Sequence, residues 1–223
     1  MPGHTLIDAA RVPDGVELQL LRSGEHFLIA LGENELMSTD IFASEQALAR
    51  LTCERLGTRP APHLLIGGYG MGFTLRTALR ALSADANITV AEIVPEIIAW
   101  ARGPMRRLTD GCLDDGRVTL VIDDVGMLIH SATSGYDAIL LDVDNGPEGL
   151  TRRRNDNLYS PAGLRAAKSA LRAGGILAVW SSSADAAFTR KLSQAGFTVS
   201  EVGVSAHADE EGLNHHIWFA RKA

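Results

Sequence analysis

Three short apolar runs in this chain each end in carboxylates: Ile88-Thr89-Val90-Ala91 in Glu92, Val118-Thr119-Leu120-Val121-Ile122 in Asp123-Asp124, and Ala138-Ile139-Leu140-Leu141 in Asp142. A fourth, Leu64-Leu65-Ile66, breaks into Gly67-Gly68-Tyr69-Gly70-Met71-Gly72. Runs of this kind mark strands buried on both faces, and in an open parallel sheet ligands gather beyond the carboxyl ends of the strands. The glycines let a ligand lie against backbone that side chains would shield, and the following helix aims its free N–H groups at the same place. The set predicts an adenosine-like ligand. Gly68, Gly70 and Gly72 would cradle it, and Glu92, followed by Ile93, would accept from both ribose hydroxyls. One of Asp123 and Asp124 would accept from an exocyclic adenine amine while the other caps the next helix.

Spacing narrows the ligand. A dinucleotide fingerprint needs G-x-G-x-x-G, but Phe73 stands where the third glycine belongs. What remains is G-x-G-x-G with Glu92 falling 24 residues after Gly68, near the roughly 20 at which an acid ending the second strand meets ribose. Asp142 is delivered from an apolar strand into the same cleft. A carboxylate there can hold a cationic nucleophile or take its proton, and partial burial raises its pKa toward that task. The competing structural reading is an aspartate bonded to loop N–H groups. Asn145-Gly146-Pro147 then turns the chain and leaves Asn145 as a neutral hydrogen-bonding neighbour.

The elements that must hold these residues alternate. Strand-like runs at Leu64–Gly68, Ile88–Glu92, Val118–Ile122, Ala138–Val143 and Ile176–Ser181 are separated by helical patterns at about Phe73–Leu82, Pro95–Arg102, Asp124–Ala132 and Pro161–Leu171. This order implies an α/β fold with a mostly parallel sheet and right-handed crossovers. Ala184–Gln194 adds a helix, and Phe197–Ala206 with His216–Arg221 adds an antiparallel C-terminal edge. Before residue 60 the pattern changes to three short strands, Val16–Leu21, His26–Leu31 and Glu35–Met37, separated by turn residues. Ser44 offers an N-cap for a helix through Leu56, with Gly57 as its stop. Residues 1–60 therefore read as a small β-meander with a linking helix, and 61–223 as the nucleoside-binding catalytic domain.

Composition bounds the partners. With 223 residues, 46% hydrophobic, the chain can bury one large core, and a net charge of −6 argues against a nucleic-acid binder. The basic run Arg152-Arg153-Arg154 reads as a solvated loop that could also face an anionic substrate. No apolar stretch approaches the roughly 18 residues of a membrane span and no secretory signal opens the chain, so a cytoplasmic protein without membrane contact is expected. Cys53 and Cys112 share no motif, and the adjacent His215 and His216 point to opposite faces of a strand with no spaced third ligand, so no metal is expected. Trp180 reads as core that could line an acceptor pocket.

From about His63 to Phe197 the chain resembles the spermidine synthase family of polyamine aminopropyltransferases, which share the class I methyltransferase-like, Rossmann-like fold. The resemblance rests on Leu65-Ile66-Gly67-Gly68-Tyr69-Gly70-Met71-Gly72 for the glycine loop, Glu92 for the ribose acid, Asp124 for the adenine-side acid, and Tyr136–Asp142 for the strand bearing the catalytic aspartate. Leu158-Tyr159 and Gly174-Gly175-Ile176-Leu177 fit later segments. The resemblance implies an adenosyl sulfonium donor, Asp142 as the catalytic residue, and Asp144, Asn145 and Tyr159 facing the acceptor. Two departures stand out. The family carries an aspartate at the position of Gly70 and another three residues after the catalytic one, where this chain has Asn145; Asp144 lies one position early.

Those family acids handle the amines of a decarboxylated donor and a polyamine. A bend without one would accept the carboxylate of ordinary S-adenosylmethionine on bare N–H groups. The expectation is therefore S-adenosylmethionine-dependent methyl transfer to a small amine or hydroxyl acceptor. The alternatives are aminopropyl transfer from decarboxylated S-adenosylmethionine to a polyamine, and a non-catalytic nucleoside-binding module. A homodimer paired through the N-terminal strands is expected.

Overall fold

The computed structural model describes residues 3–12, 15–32, 34–143, 157–206 and 214–223. Two sheets organise them. The first is an antiparallel meander in the order β1 (Thr5–Arg11), β2 (Glu17–Ser23), β3 (His26–Leu31), β4 (Asn34–Ser38). Helix α1 (Ala43–Leu56) then leads into β5 (His63–Gly67), α2 (Phe73–Ala81), β6 (Asn87–Glu92), α3 (Pro95–Arg102), α4 (Arg106–Thr109) and a short 3-10 turn at Cys112–Asp114. The remainder is β7 (Val118–Ile122), α5 (Val125–Ser131), β8 (Tyr136–Leu141), α6 (Pro161–Ala170), β9 (Leu171–Ser181), α7 (Ala186–Gln194), β10 (Thr198–Ser205) and β11 (Asn214–Arg221).

The large sheet runs β10-β11-β9-β8-β5-β6-β7, parallel except where β11 pairs with β9 and β10. Its strands are sorted by a period of two. Leu64, Ile66, Ala138, Leu140, Ile176, Ala178 and Trp180 face one core, while Leu65, Ile139, Leu141, Leu177 and Val179 face the other. The first core is shared with α1, α3 and the inner face of the meander through Leu18, Leu20, Phe27 and Ile29. The second is closed by α5, α6 and α7 through Ile129, Leu164 and Phe188. Chain order reverses between β5 and β8, which neighbour each other at the centre, and this switch point is where an open α/β sheet forms its crevice.

This is the mostly parallel α/β sheet with an antiparallel C-terminal edge and a separate N-terminal meander that the sequence implies. Three details differ. The meander has four strands, because Thr5–Arg11 pairs with β2 across an irregularity at Leu6/Asp8 that breaks its alternation. Helix α1 starts two residues early, with Phe42 at its N-cap and no side-chain cap, so Ser44 sits inside the first turn. Strand β9 begins at Leu171 rather than Ile176, its pairing with β8 interrupted between Tyr136 and Ala138. Among the described residues no helix is long and apolar enough to cross a membrane.

Candidate active site

Strand β5 ends at the switch point, and its carbonyl at Gly67 accepts the Asp142 N–H at 3.0 Å, so the bend and the end of β8 are stitched side by side. Gly68 is required there twice over. Its φ of +85° disfavours any side chain, and a Cβ would collide with the Asp142 carbonyl oxygen. The Asp142 carboxyl turns toward α1 and α2, where its Oδ2 accepts from Thr74 Oγ1 at 2.7 Å. The same Thr74 hydroxyl lies 3.3 Å from the Glu45 carbonyl oxygen, tying the first turn of α1 to the end of β8.

That tie brings a second acid to Asp142. Glu45 is 8% exposed, and its Oε2 accepts from Ser44 Oγ at 2.7 Å. Ser44 Oγ in turn lies 2.8 Å from Nδ1 of His215 on β11. Burial first, and then the Asp142 charge, push the Glu45 carboxyl up to about 8; burial pushes Asp142, which is half-buried as a residue, up to about 6 despite the Thr74 bond. Glu45 also lines a cavity of about 240 Å³ with Glu35, Leu36 and Met37 of β4, Ile41, Trp180 and Ser182 at the end of β9, and His215. The Trp180 ring meets His215 edge-on at 4.8 Å, and its buried indole N–H has no hydrogen-bond partner among the described residues.

The bend itself is not bare. A Cβ at Gly70 would lie 2.6 Å from Cε and 2.8 Å from Sδ of Met37, so a β4 thioether covers the spot where the N–H groups were expected to face solvent. Tyr69 is buried with its hydroxyl 3.4 Å from Cys112 Sγ, and Gly72 forms the left-handed N-cap of α2. Glu92 grips the bend from below. Its Oε2 accepts from the Tyr69 N–H at 2.9 Å and its Oε1 from the Val94 N–H at 2.8 Å, and burial raises its pKa. The backbone N–H groups of Ile93 and Gly70 also donate to this carboxylate. Ile93 packs half-buried beside it.

On the edge strand, Asp124 caps α5 by accepting from the Gly126 N–H at 2.8 Å, while the exposed Asp123 accepts from the Asp124 N–H at 2.8 Å. Asp124 is thus the capping member of the pair, with its second oxygen uncommitted to that cap. The exposed side chain of Ile122 offers an apolar surface next to them. Tyr159 lies elsewhere. It packs edge-on against Phe188 at 5.4 Å in the core on the opposite face of the sheet, so it is no wall of the cavity as the expected acceptor residue would be. Asp144, Asn145 and Arg152–Arg154 fall outside the described residues. Glu45, Ser44, Thr74, Met37 and His215 carry no sequence motif that would have marked them.

The acid pair sets a pH dependence of stability. An acid whose pKa is higher folded than unfolded binds protons better in the native state, so its stabilising share is present below about pH 4.5 and is lost as pH rises through its folded value. Between about pH 5 and 8.5 the Tm should therefore fall on account of this pair. Glu45→Gln should flatten that slope and raise the Tm at pH 8.5 by several degrees, on the order of 2 kcal/mol, with little change at pH 5. Thermal melts across that range check it; an unchanged slope would mean that Glu45 ionises freely.

Residues 48–195 match the spermine/spermidine synthase domain. A polyamine aminopropyltransferase of Klebsiella pneumoniae is 33% identical over 118 residues, covering 52% of this chain and 38% of its own length. The one from Mycobacterium tuberculosis is 32% identical over 149 residues, 63% of this chain and 28% of its own. The chain thus spans less than two fifths of the length of the curated relatives it matches. Among solved structures, a spermidine synthase in complex with the transition state analogue AdoDATO superposes with a TM-score of 0.77 at 19% identity, over 98% of this chain and 72% of that one. The spermidine synthase of Thermotoga maritima gives 0.77 at 18%, over 98% and 73%. These two establish the shared fold.

Proposed function

The chain belongs to the spermine/spermidine synthase family, its match covering about two thirds of the residues, and from that premise we propose that it is a transferase moving an aminopropyl group from decarboxylated S-adenosylmethionine to an amine. The observation that carries this reading is the placement of Asp142, a carboxylate of raised pKa hydrogen-bonded to Thr74 at the switch point, beside the glycine bend held by Glu92. The donor supplies a carbon already activated by its sulfonium. The chain's own residues supply position and proton handling. Glu92 takes the ribose hydroxyls on its carboxylate oxygens, Ile93 and Ile122 flank the base, and the Asp124 oxygen not used in the cap accepts from its exocyclic amine. The acceptor nitrogen forms its bond to carbon as the C–S bond breaks, the electron pair stays on sulfur as a neutral thioether, and Asp142 accepts the proton lost from nitrogen.

This order reverses the one the sequence suggests, for a physical reason. The methyl-transfer reading needs open N–H groups to receive a carboxylate, but the bend is covered by Met37 and adjoins Asp142, whose charge already acts on the buried Glu45, surroundings that disfavour a further negative charge. Gly70 and Asn145, neutral where the family has acids, keep methyl transfer as the second reading. Calorimetry separates them. The decarboxylated donor should bind at least ten-fold tighter than S-adenosylmethionine, and mass spectrometry of a diamine acceptor should show aminopropyl addition. Tighter binding of S-adenosylmethionine, with a methylated product, would install the second reading. Binding of both without turnover across amine and hydroxyl acceptors would point to a nucleoside-binding module.

A further inference from the structure

Negative charge absent from one wall of the site is present on another. At position 70 the family's acid is missing and a Met37 thioether fills the space. On the facing side, α1 contributes Glu45, a buried carboxyl that feels the charge of Asp142 and whose main chain shares the Thr74 hydroxyl with it. Two carboxyls confined together cannot both ionise cheaply, and a cation between them removes the penalty, so the pair selects for positive charge. Glu45 opens into the cavity walled by Met37, Trp180 and His215, whose apolar surfaces suit a methylene chain. Its carboxyl is held from behind by Ser44 at 2.7 Å, itself 2.8 Å from His215. A carboxylate kept buried and oriented by a serine–histidine chain costs stability unless it has a ligand to meet.

We propose that Glu45 is the second acid of this site, and that with Asp142 it binds the ammonium group of an aliphatic amine acceptor whose carbon chain lies in the cavity between β4, β9 and β11. This rests on the transferase reading above but assigns a role that the reading does not need. Ser44 and His215 are positioning residues, acting through the Glu45 carboxyl.

Titration calorimetry on the full chain at pH 8 tests it, with 1,4-diaminobutane, spermidine and monoamines as charged probes, 1,4-butanediol as the neutral control, and methylthioadenosine to report the nucleoside site. The wild type should bind an amine and not the diol. Glu45→Gln should weaken the amine at least ten-fold, raising KM more than it lowers kcat, while methylthioadenosine binds as before. Ser44→Ala, which keeps the charge but frees it, should weaken the amine three- to ten-fold and provides the same reading should the first variant not fold. Amine affinity unchanged in both variants overturns the proposal, as does a wild type that binds methylthioadenosine but no amine. A loss confined to the decarboxylated donor, with amine probes unaffected, would assign Glu45 to the donor tail and overturn the acceptor role. Failure of the wild type to bind methylthioadenosine would instead remove the transferase reading.

Discussion

Asp142→Asn abolishes turnover, by about three orders of magnitude or more, while methylthioadenosine binding stays within a few-fold of wild type. The size follows from the role. General base contributions are typically 10²–10⁴-fold, and here the same group also steadies positive charge on the attacking nitrogen, so both are removed together. The nucleoside grip is unaffected because Glu92, Ile93 and Asp124 hang from β6 and the start of α5, not from β8. Asparagine keeps the Thr74 contact, since its carbonyl oxygen still accepts at the distance where Asp142 Oδ2 now sits, 2.7 Å. The variant also loses a carboxyl whose pKa burial has raised, so it should not be less stable at pH 8. Steady-state rates beside calorimetry decide it. Activity within a few-fold of wild type would move the proton elsewhere, with Glu45 the nearest candidate.

What the sequence reveals of this molecule is what local pattern encodes. Leu64-Leu65-Ile66 and Ala138-Ile139-Leu140-Leu141 are apolar at every position because alternate residues feed two different cores, and that uninterrupted run identifies a strand covered on both sides. Asp142 is readable because a carboxylate ending such a strand has few places to go. Strand β1 is hidden because only Ala10 of its seven residues is buried, leaving no alternation to detect. Glu45 is hidden for a different reason. Nothing in Ala43-Ser44-Glu45 differs from the first turn of an ordinary amphipathic helix, where Ser reads as a cap and Glu as a favourable charge near the N-terminus. Its meaning arises only when α1 docks and Thr74 joins it to Asp142. His215 reads as irrelevant to a metal site, yet the partner that gives it a role is Ser44, 171 positions away. Met37 over Gly70 is likewise a contact between two sheets, invisible to any spacing rule.

The largest effect on stability lies at the opposite end of β8 from the site. Asp137 is buried on that strand, where its Oδ1 accepts from Arg59 at 2.8 Å and its Oδ2 accepts from Arg172 at 2.6 Å and from the His63 N–H at 2.8 Å. Arg59 also bonds the Gly174 carbonyl at 3.0 Å, so one carboxylate fastens the linker after α1, the start of β5, and β9 to the central strand. Asp137→Ala leaves a guanidinium on the linker and an amide on β5 facing the emptied space without their acceptor, and breaking a buried pair in this way costs about 3–5 kcal/mol. In a chain of this length each kcal/mol corresponds to roughly 2–4 °C of Tm, so a fall on the order of 10 °C is expected. Asp137→Asn should lose less, because a carbonyl oxygen in the place of Oδ2 still accepts two of the three bonds. The pair of variants separates mechanisms: an equal loss in both would mean that charge, not hydrogen bonding, holds the junction. If Asp137→Ala melts within about 2 °C of wild type, the junction is held by packing alone. The site at the other end of β8 would then owe nothing to this anchor.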